Sequence, residues 1–177
     1  MTGFAARTLQ IQLAVILSVA LPSSVLPCQD RSTRVAVTAD QVLILKSERK
    51  MMLLRGRKVL KTYKVALGTQ PVGPKERFGD HRTPEGEYIV DLRKPNSQFH
   101  KALHLSYPNS ADRAHAQKLG VNPGGDVEIH GLGAKWGWVG AVHRQIDWTD
   151  GCIAVTNEEI DEIFSMVPLG TPVEIKP

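Results

Sequence analysis

A cysteine and a histidine in the C-terminal third of the chain have the types and surroundings that thiol catalysis needs. His130 ends a short predicted strand and is followed by Gly131, and Cys152 lies downstream, directly after Gly151. A thiol is a strong nucleophile only as a thiolate, and a nearby imidazole can take its proton. The pair therefore predicts nucleophilic catalysis, with the backbone amides at Gly151 and Cys152 as candidate donors to an oxyanion.

The residue types alone leave other roles for Cys152 open. A disulfide between Cys28 and Cys152 fits an exported protein with two cysteines. An inert buried thiol also fits, because the apolar stretch Ile153–Val155 follows the cysteine. Cys28 lies next to the N-terminal apolar segment, in a stretch of polar residues and proline, and this position favours a free Cys152.

The first 27 residues differ in composition from the rest of the chain. Arg7 precedes the apolar run Leu13–Leu21, and no acidic residue occurs before Asp30. This pattern is typical of a secretory signal peptide, and the run is shorter than the ~20 apolar residues that span a bilayer. We therefore expect export to the periplasm or cell envelope, with an uncleaved N-terminal membrane anchor as the alternative.

Length and composition indicate one globular domain, residues 35–177, after a linker over 28–34. The 177 residues are 42% hydrophobic and 23% charged, which is enough for one core and too little for two ordinary domains. The net charge of +4 is spread along the chain, which argues against a nucleic-acid partner. No motif indicates an organic cofactor or a metal, and the sequence carries no signal for the oligomeric state.

The elements that must position the two residues are mostly strands. Alternation of apolar and polar residues predicts a hairpin turning at Gly56, and further strands that include one ending at His130. The predicted strands are Val42–Leu45, Met51–Leu54, Val59–Leu67, Gly86–Leu92, Leu103–Ser106, Asp126–Ile129 and Thr171–Ile175. Residues 71–84 are predicted to be a loop, and Lys94–Gln98 to be irregular.

Capping signals predict two short helices. The first begins at the cap Pro108–Ser110 and runs through Leu119, with Gly120 ending it. The second begins at a capping box formed by Thr156 and Glu159, and it ends before Pro168. The sequence therefore predicts a mainly β fold with two short helices.

The residues around the cysteine and histidine resemble a known signature. The run Ile129-His130-Gly131, the later run Thr149-Asp150-Gly151-Cys152, Asn157 five residues on, and the upstream segment Thr83–Tyr88 resemble the YkuD-type L,D-transpeptidase catalytic domain. The resemblance covers about Val35 to the C-terminus. It implies a β-sandwich-like fold and a substrate drawn from the stem peptides of peptidoglycan.

The resemblance also implies a mechanism and a role for each site residue. Cys152 attacks the amide after the third residue of a stem peptide and forms a thioester, which a neighbouring amine resolves to give a 3→3 crosslink or a wall-attached protein. His130 takes the thiol proton and returns a proton to the leaving amine. The carbonyl of Gly131 orients the imidazole, and the Gly151 backbone belongs to the oxyanion site.

Two departures from the usual signature keep other activities open. Asp150 and Ala154 stand where many members have histidine and arginine. The loop from Gly131 to Trp148 is long and rich in tryptophan, as in a murein transpeptidase-like subgroup that includes amidases releasing lipoproteins from the wall. The alternatives are thus a hydrolase, either an L,D-carboxypeptidase or an amidase acting on a wall-linked lipoprotein, and a catalytically silent wall-binding module.

The long loop supplies most of the predicted substrate-binding residues. These are Trp136, Trp138, His143, Trp148 and, beyond the loop, Asn157. The tryptophans either stack on sugar or peptide or hold the loop down by packing, and both roles are open. His143 is the rival to His130 as the base.

Overall fold

The chain folds as a single curled β-sheet with helices attached. The computed structural model describes residues 37–177, and the predicted signal peptide and linker lie outside that range. The strands are β1 Gln41–Leu45, β2 Lys50–Arg55, β3 Lys58–Lys64, β4 Gly86–Ser97, β5 His100–Leu105, β6 Glu128–His130, β7 Ile153–Ala154 and β8 Pro172–Lys176. The helices are α1 Ser110–Leu119, α2 Gly133–Trp136 and α3 Asn157–Met166, and a 3-10 segment covers Gly137–Gln145.

The eight strands are ordered β3-β2-β1-β8-β4-β5-β6-β7. The pairs β1–β8 and β6–β7 are parallel, and the other neighbours are antiparallel. Ala66, just after β3, pairs with Ala154 of β7, so the two ends of the sheet meet. This curling encloses one core and confirms the predicted mainly β, sandwich-like class.

Alternating apolar residues bury one face of each strand. Val42 and Ile44 of β1 and Met51 and Leu53 of β2 are fully buried, as the period of two in the sequence predicts. Helix α3 packs on β5, and its residues Ile160 and Ile163, with Val167 just after its end, join the same core cluster. Burying each such side chain contributes about 1.5–3 kcal/mol, so the core fixes the sheet edge that carries the site.

Both predicted helices are present with the predicted caps. Asn109 caps α1 and Gly120 ends it in a left-handed conformation, and Thr156 and Glu159 form the capping box of α3. Two predictions were wrong. The tryptophan-rich loop contains the extra helix α2 and the 3-10 segment, and residues 94–97 belong to β4, whose pairing with β5 is irregular there.

Within residues 37–177, the longest helices have ten residues, and none is long and apolar enough to cross a membrane.

Candidate active site

Cys152 ends a tight turn that its neighbours hold by hydrogen bonds. Thr149 Oγ1 accepts the Gly151 N–H at 3.1 Å and donates to the Cys152 carbonyl oxygen at 2.7 Å. Gly151 has a φ of 131°, and a Cβ there would lie 2.6 Å from the Arg82 carbonyl oxygen, so the position requires glycine. Because the Gly151 N–H is used inside the turn, the Cys152 N–H is the better candidate for an oxyanion donor.

The thiol of Cys152 is free and only partly accessible. The structure has Cys152 as a free cysteine of intermediate burial, and Cys28 lies outside the described residues. Its Sγ lies 3.5 Å from the Asp126 carbonyl oxygen. A half-buried free thiol at a strand end is accessible to a reagent or substrate that approaches from that side.

His130 ends β6 and is almost completely buried, at 1% exposure. Its Nδ1 lies 2.6 Å from the Gly131 carbonyl oxygen. A carbonyl oxygen can only accept, so Nδ1 carries the proton and Nε2 of the neutral ring is left as an acceptor. Burial lowers the pKa of His130, which keeps the ring neutral.

Aromatic rings fix the orientation of the His130 ring. Phe99 stacks on it with ring centroids 4.2 Å apart, and Trp148 meets it edge-on at 5.9 Å. Together with the Gly131 bond, these contacts leave the imidazole little rotational freedom. A base held in one orientation loses less entropy when it takes a proton from a bound reactant.

Strand register brings Cys152 and His130 to one face of the sheet. Ile129 of β6 pairs with Ile153 of β7, and both point into the core. His130 follows Ile129 along β6, and Cys152 directly precedes Ile153 at the start of β7. Because side chains alternate along a strand, this register predicts that both residues point to the face opposite the core. The end of β6 and the start of β7 thus bring the two predicted catalytic residues to neighbouring positions in the sheet.

The surroundings of Cys152 favour the neutral thiol at rest. Burial is the largest influence and raises the pKa of Cys152 to about 11, and the carboxylates of Glu128, Asp150 and Asp126 act in the same direction. A hydrogen bond from the Glu128 backbone opposes them. The resting pair is therefore a thiol and a neutral imidazole, not a thiolate–imidazolium ion pair.

His143 occupies a different environment from His130. It is 8% exposed, and its Nδ1 accepts the Trp148 Nε1–H at 3.3 Å. The proton of its neutral ring therefore lies on Nε2, a buried atom without a partner among the described residues. Burial, followed by the charge of Arg144 and then His130, lowers the pKa of His143 to about 4. This arrangement favours His130 as the base.

The tryptophan-rich loop forms an apolar groove next to His130. The groove encloses about 540 Å³ and includes three of the predicted substrate-binding residues, Trp136, His143 and Trp148. Trp148 also contacts the His130 ring, so the groove adjoins the site. Trp138 is not among the lining residues and is 80% exposed.

Asn157 fixes the loop to the start of α3. Its Oδ1 accepts the N–H groups of Leu132 at 2.8 Å and Gly133 at 3.2 Å, and its Nδ2 donates to the Gly133 carbonyl oxygen at 3.3 Å. The carboxamide is occupied by these bonds. The placement favours an anchoring role over the substrate contact that we predicted for Asn157.

The loop behind the cysteine turn depends on charged residues that the sequence analysis missed. Lys46, at 2% exposure, donates to the carbonyl oxygens of Gly73 at 2.6 Å and Thr83 at 2.8 Å and pairs with Glu85 at 2.7 Å. Thr83 Oγ1 in turn accepts the Gly68 N–H at 3.0 Å. In the sequence, Lys46 stands out only as a lysine directly after an apolar strand. Its partners lie in a distant loop, and no local pattern indicates them.

The fold and the motif together define a protein of the L,D-transpeptidase class. The family model described as the L,D-transpeptidase catalytic domain, YkuD, matches residues 39–175, which is most of the chain. The chain therefore belongs to the YkuD family.

Individual relatives agree with this assignment. Over 111 residues the chain is 36% identical to the protein named "Putative L,D-transpeptidase YafK" from Escherichia coli K12, a match that covers 62% of this chain and 37% of YafK. The chain thus spans little more than a third of that relative's length.

Solved structures share the fold. The helical cell shape determining protein Pgp2 from Campylobacter jejuni aligns with a TM-score of 0.59 at 22% identity, covering 77% of this chain and 46% of Pgp2. Bd1075 from Bdellovibrio bacteriovorus aligns with a TM-score of 0.54 at 24% identity, covering 80% of this chain and 49% of Bd1075. At these identities the likeness concerns the fold alone.

Proposed function

We propose that this protein is a cysteine acyltransferase that acts on peptidoglycan stem peptides through a thioester on Cys152. The observation that supports this most directly is the shared face of β6 and β7. There, Gly131 holds the proton on His130 Nδ1, which leaves Nε2 as the acceptor of the ring, and the register of β6 with β7 brings His130 close to Cys152. Membership of the L,D-transpeptidase family supports the substrate class.

The proposed first half-reaction forms the thioester. His130 Nε2 takes the Cys152 proton as the sulfur attacks the carbonyl carbon of the amide after the third stem residue. The Cys152 N–H faces the developing oxyanion, and one such donor lowers a barrier by ~3 kcal/mol. When the tetrahedral species collapses, the C–N bond breaks, and the leaving amine takes the proton from His130.

The second half-reaction resolves the thioester and decides the product. A neighbouring stem's amine gives a 3→3 crosslink, an amine on a protein attaches that protein to the wall, and water gives hydrolysis. In each case the incoming nucleophile loses a proton to His130 and the Cys152 thiol is regenerated.

The neutral resting pair has a kinetic consequence. Because the pKa of Cys152 is raised to about 11 and that of His130 is lowered, little thiolate exists at neutral pH before substrate binds. Proton transfer to His130 then accompanies attack on the carbonyl rather than preceding it. We expect slow reaction with simple alkylating agents and faster reaction with an acylating agent that binds the site.

The proposal places the protein outside the cytoplasmic membrane, since its substrate is there. The signal-like pattern of the first 27 residues supports export to the periplasm or cell envelope. Cell fractionation of the full chain tests this, and recovery of the unprocessed chain in the cytosolic fraction alone would contradict it.

A carbapenem tests the thioester chemistry directly. Incubated with the full-length protein, it should add one mass equivalent to the peptide that contains Cys152 and none to a Cys152→Ala variant. The variant should keep the wild-type circular dichroism spectrum, because the sulfur makes only weak contacts with the backbone of Asp126 and Glu128. A folded wild-type protein that stays unmodified would favour the wall-binding module over an enzyme.

Isolated sacculi then identify what resolves the thioester. After incubation with the protein and digestion with a muramidase, the products should contain 3→3 dimers that are missing with Cys152→Ala. Trimmed stems without dimers would identify an L,D-carboxypeptidase, and released protein would identify an amidase acting on a wall-linked lipoprotein. Either result would replace transpeptidation with hydrolysis.

A further inference from the structure

The outer face that carries the site also carries a lysine. Lys94 of β4 pairs with Ala102 of β5, Ala102 pairs with His130 of β6, and His130 pairs with Ala154 of β7. Residues in register point to the same face of a sheet, so Lys94 lies on the face of His130 and Cys152. The small side chain of Ala102, between Lys94 and His130, lets the lysine extend across the sheet towards the site.

A buried carboxylate holds the end of this lysine beside the nucleophile. Lys94 Nζ lies 2.6 Å from Glu128 Oε1, and Glu128 is only 7% exposed. The pairing of Ile129 with Ile153 places Glu128 next to Cys152 in register on the same face. Consistent with this proximity, the bond to Glu128 raises the pKa of Lys94, and the charge of Cys152 adds to the effect.

The other charges near Cys152 are better screened by solvent. The side chains of Asp126 and Asp150 are 92% and 91% exposed, so water weakens their effect on the sulfur. The remaining groups that face the site from the surrounding elements are already paired: His104 with Asp91, His81 with Asp150, Lys75 with Asp80 and Arg82 with Glu76. Glu128 is therefore the carboxylate with the strongest effect on the thiol.

We propose that Lys94 is a positioning residue of this site: bonded to Glu128, it cancels the buried negative charge next to Cys152, so that the thiol can ionise when His130 takes its proton. Without the lysine, a buried carboxylate faces the developing thiolate at close range, where like charges disfavour ionisation most. Lys94 acts through Glu128 and forms no bond with the substrate. The inference rests on the proposed function only for Cys152 being the nucleophile.

The test measures the thiol itself, with no peptidoglycan. Iodoacetamide alkylation of the full-length protein at pH 8, measured on the Cys152 peptide by mass spectrometry, excludes any contribution from Cys28. In Lys94→Met we expect the pKa of Cys152 to rise by about one unit, which lowers the thiolate fraction about tenfold. The more basic thiolate is about threefold more nucleophilic, so the net decrease in rate is about threefold.

Matched variants separate this role from a purely structural one. Lys94→Arg should alkylate at the wild-type rate, Glu128→Gln should alkylate faster than wild type, and Lys94→Met/Glu128→Gln should regain at least the wild-type rate. Glu128→Gln keeps the side-chain shape, so its prediction stands even if Lys94→Met fails to fold. A wild-type rate in folded Lys94→Met, or a double variant as slow as Lys94→Met, would overturn the proposal.

The alkylation result is also independent of the enzyme's activity. If the wild-type protein is not acylated by a carbapenem but alkylation follows the pattern above, the proposed function fails while the role of Lys94 stands. The reverse outcome, acylation with alkylation rates unaffected by the Lys94 and Glu128 variants, removes the role of Lys94 and leaves the proposed function intact.

Discussion

The turn that carries Cys152 and the loop that carries the tryptophans adjoin the same histidine but are built differently. In the turn, Thr149 satisfies the backbone on both sides of the cysteine, and the Arg82 carbonyl packs directly against Gly151. In the loop, Trp138 is 80% exposed, and the buried Nε2 of His143 has no partner among the described residues. The cysteine turn is therefore fixed by its own hydrogen bonds, whereas the tryptophan-rich loop contains a buried polar atom without a partner among the described residues.

Under the proposed function, this difference separates two tasks. Acyl transfer needs the nucleophile, base and oxyanion donor held to within a fraction of an ångström, which backbone bonds and close packing provide. Substrate recognition needs accessible surface, which the groove lined by Trp136, His143 and Trp148 provides. We therefore expect changes in the turn to affect chemistry and stability strongly, and equivalent changes in the loop to affect them weakly.

His130, which ends β6 beside the turn, and His143, which lies in the loop, give the largest expected contrast. His130→Gln should lower the rate of carbapenem acylation about 10³-fold, because glutamine cannot act as a base. His143→Gln should lower the rate less than fivefold, since glutamine can still accept the Trp148 N–H. Time-resolved mass spectrometry measures both rates on proteins shown to be folded. Comparable losses in the two variants would make the loop part of the proton-transfer machinery and end the distinction.

Two glycines with positive φ give a contrast in stability. Gly151→Ala should lower the free energy of unfolding by about 4 kcal/mol, because its φ of 131° is strained for alanine and its Cβ would collide with the Arg82 carbonyl. Gly140→Ala in the loop, with a φ of 52°, a ψ of −138° and nothing within 4 Å of its Cβ, should cost about 2 kcal/mol from backbone strain alone. Urea unfolding measures the free energy of unfolding of both variants. Equal costs would mean that the turn relaxes around the added methyl group as readily as the loop does.

The same contrast explains what the sequence could predict. Local signals were sufficient where structure is local: the caps at Asn109 and Thr156 and the alternation that ends at His130 predicted α1, α3 and β6. The resemblance to the YkuD signature predicted Cys152 and His130 together as the catalytic pair. Their common face, however, follows from the register of β6 with β7, which the sequence alone does not determine.

Residues that act over long range gave weak signals. We predicted Lys94–Gln98 to be irregular, although β4 continues to Ser97 with an irregular register around Pro95, where a missing N–H is tolerated. Because these residues were not predicted to form a strand, the sequence did not indicate that Lys94 shares a sheet face with His130. Lys46 was missed for another reason: its partners Glu85, Thr83 and Gly73 come close only when the sheet curls. In the loop, closely spaced glycines and tryptophans gave no helical period.

Lys46, which holds the loop packed against the cysteine turn, can be compared with Lys50, a lysine in an ordinary surface ion pair. Lys46→Met should lower the free energy of unfolding by about 3 kcal/mol, because it leaves Glu85 without its ion pair and two carbonyls without their donor. Lys50→Met, on the same hairpin but in a solvent-exposed pair with Glu48, should cost less than about 0.5 kcal/mol.

Chemical denaturation of both lysine variants measures these costs. The carbapenem acylation rate of Lys46→Met provides a second readout, since loss of the loop behind Gly151 should slow it. Equal stabilities for Lys46→Met and Lys50→Met would mean that the turn does not depend on this support.

Acid titration tests whether burial of the two histidines costs stability. Both have lowered pKa values in the folded state, that of His143 to about 4 against 6.5 for a free imidazole, so the unfolded chain binds their protons first as the pH falls. Burying the two neutral rings therefore costs no stability from protonation above pH 6.5. The free energy of unfolding then decreases progressively as the pH falls from 6.5 towards about 4. His143 alone should account for about 2 kcal/mol between pH 7 and pH 4.5.

Comparison with His143→Gln isolates that contribution, because the other titrating groups are common to both proteins and cancel in the difference. The free energy of unfolding, measured by urea at each pH, should fall about 2 kcal/mol further in wild type than in the variant. If the free energy of unfolding falls with pH by the same amount in both proteins, His143 becomes solvated in the folded protein at acid pH. The loop would then open without unfolding the turn, and the two regions would be separate in stability as well as in construction.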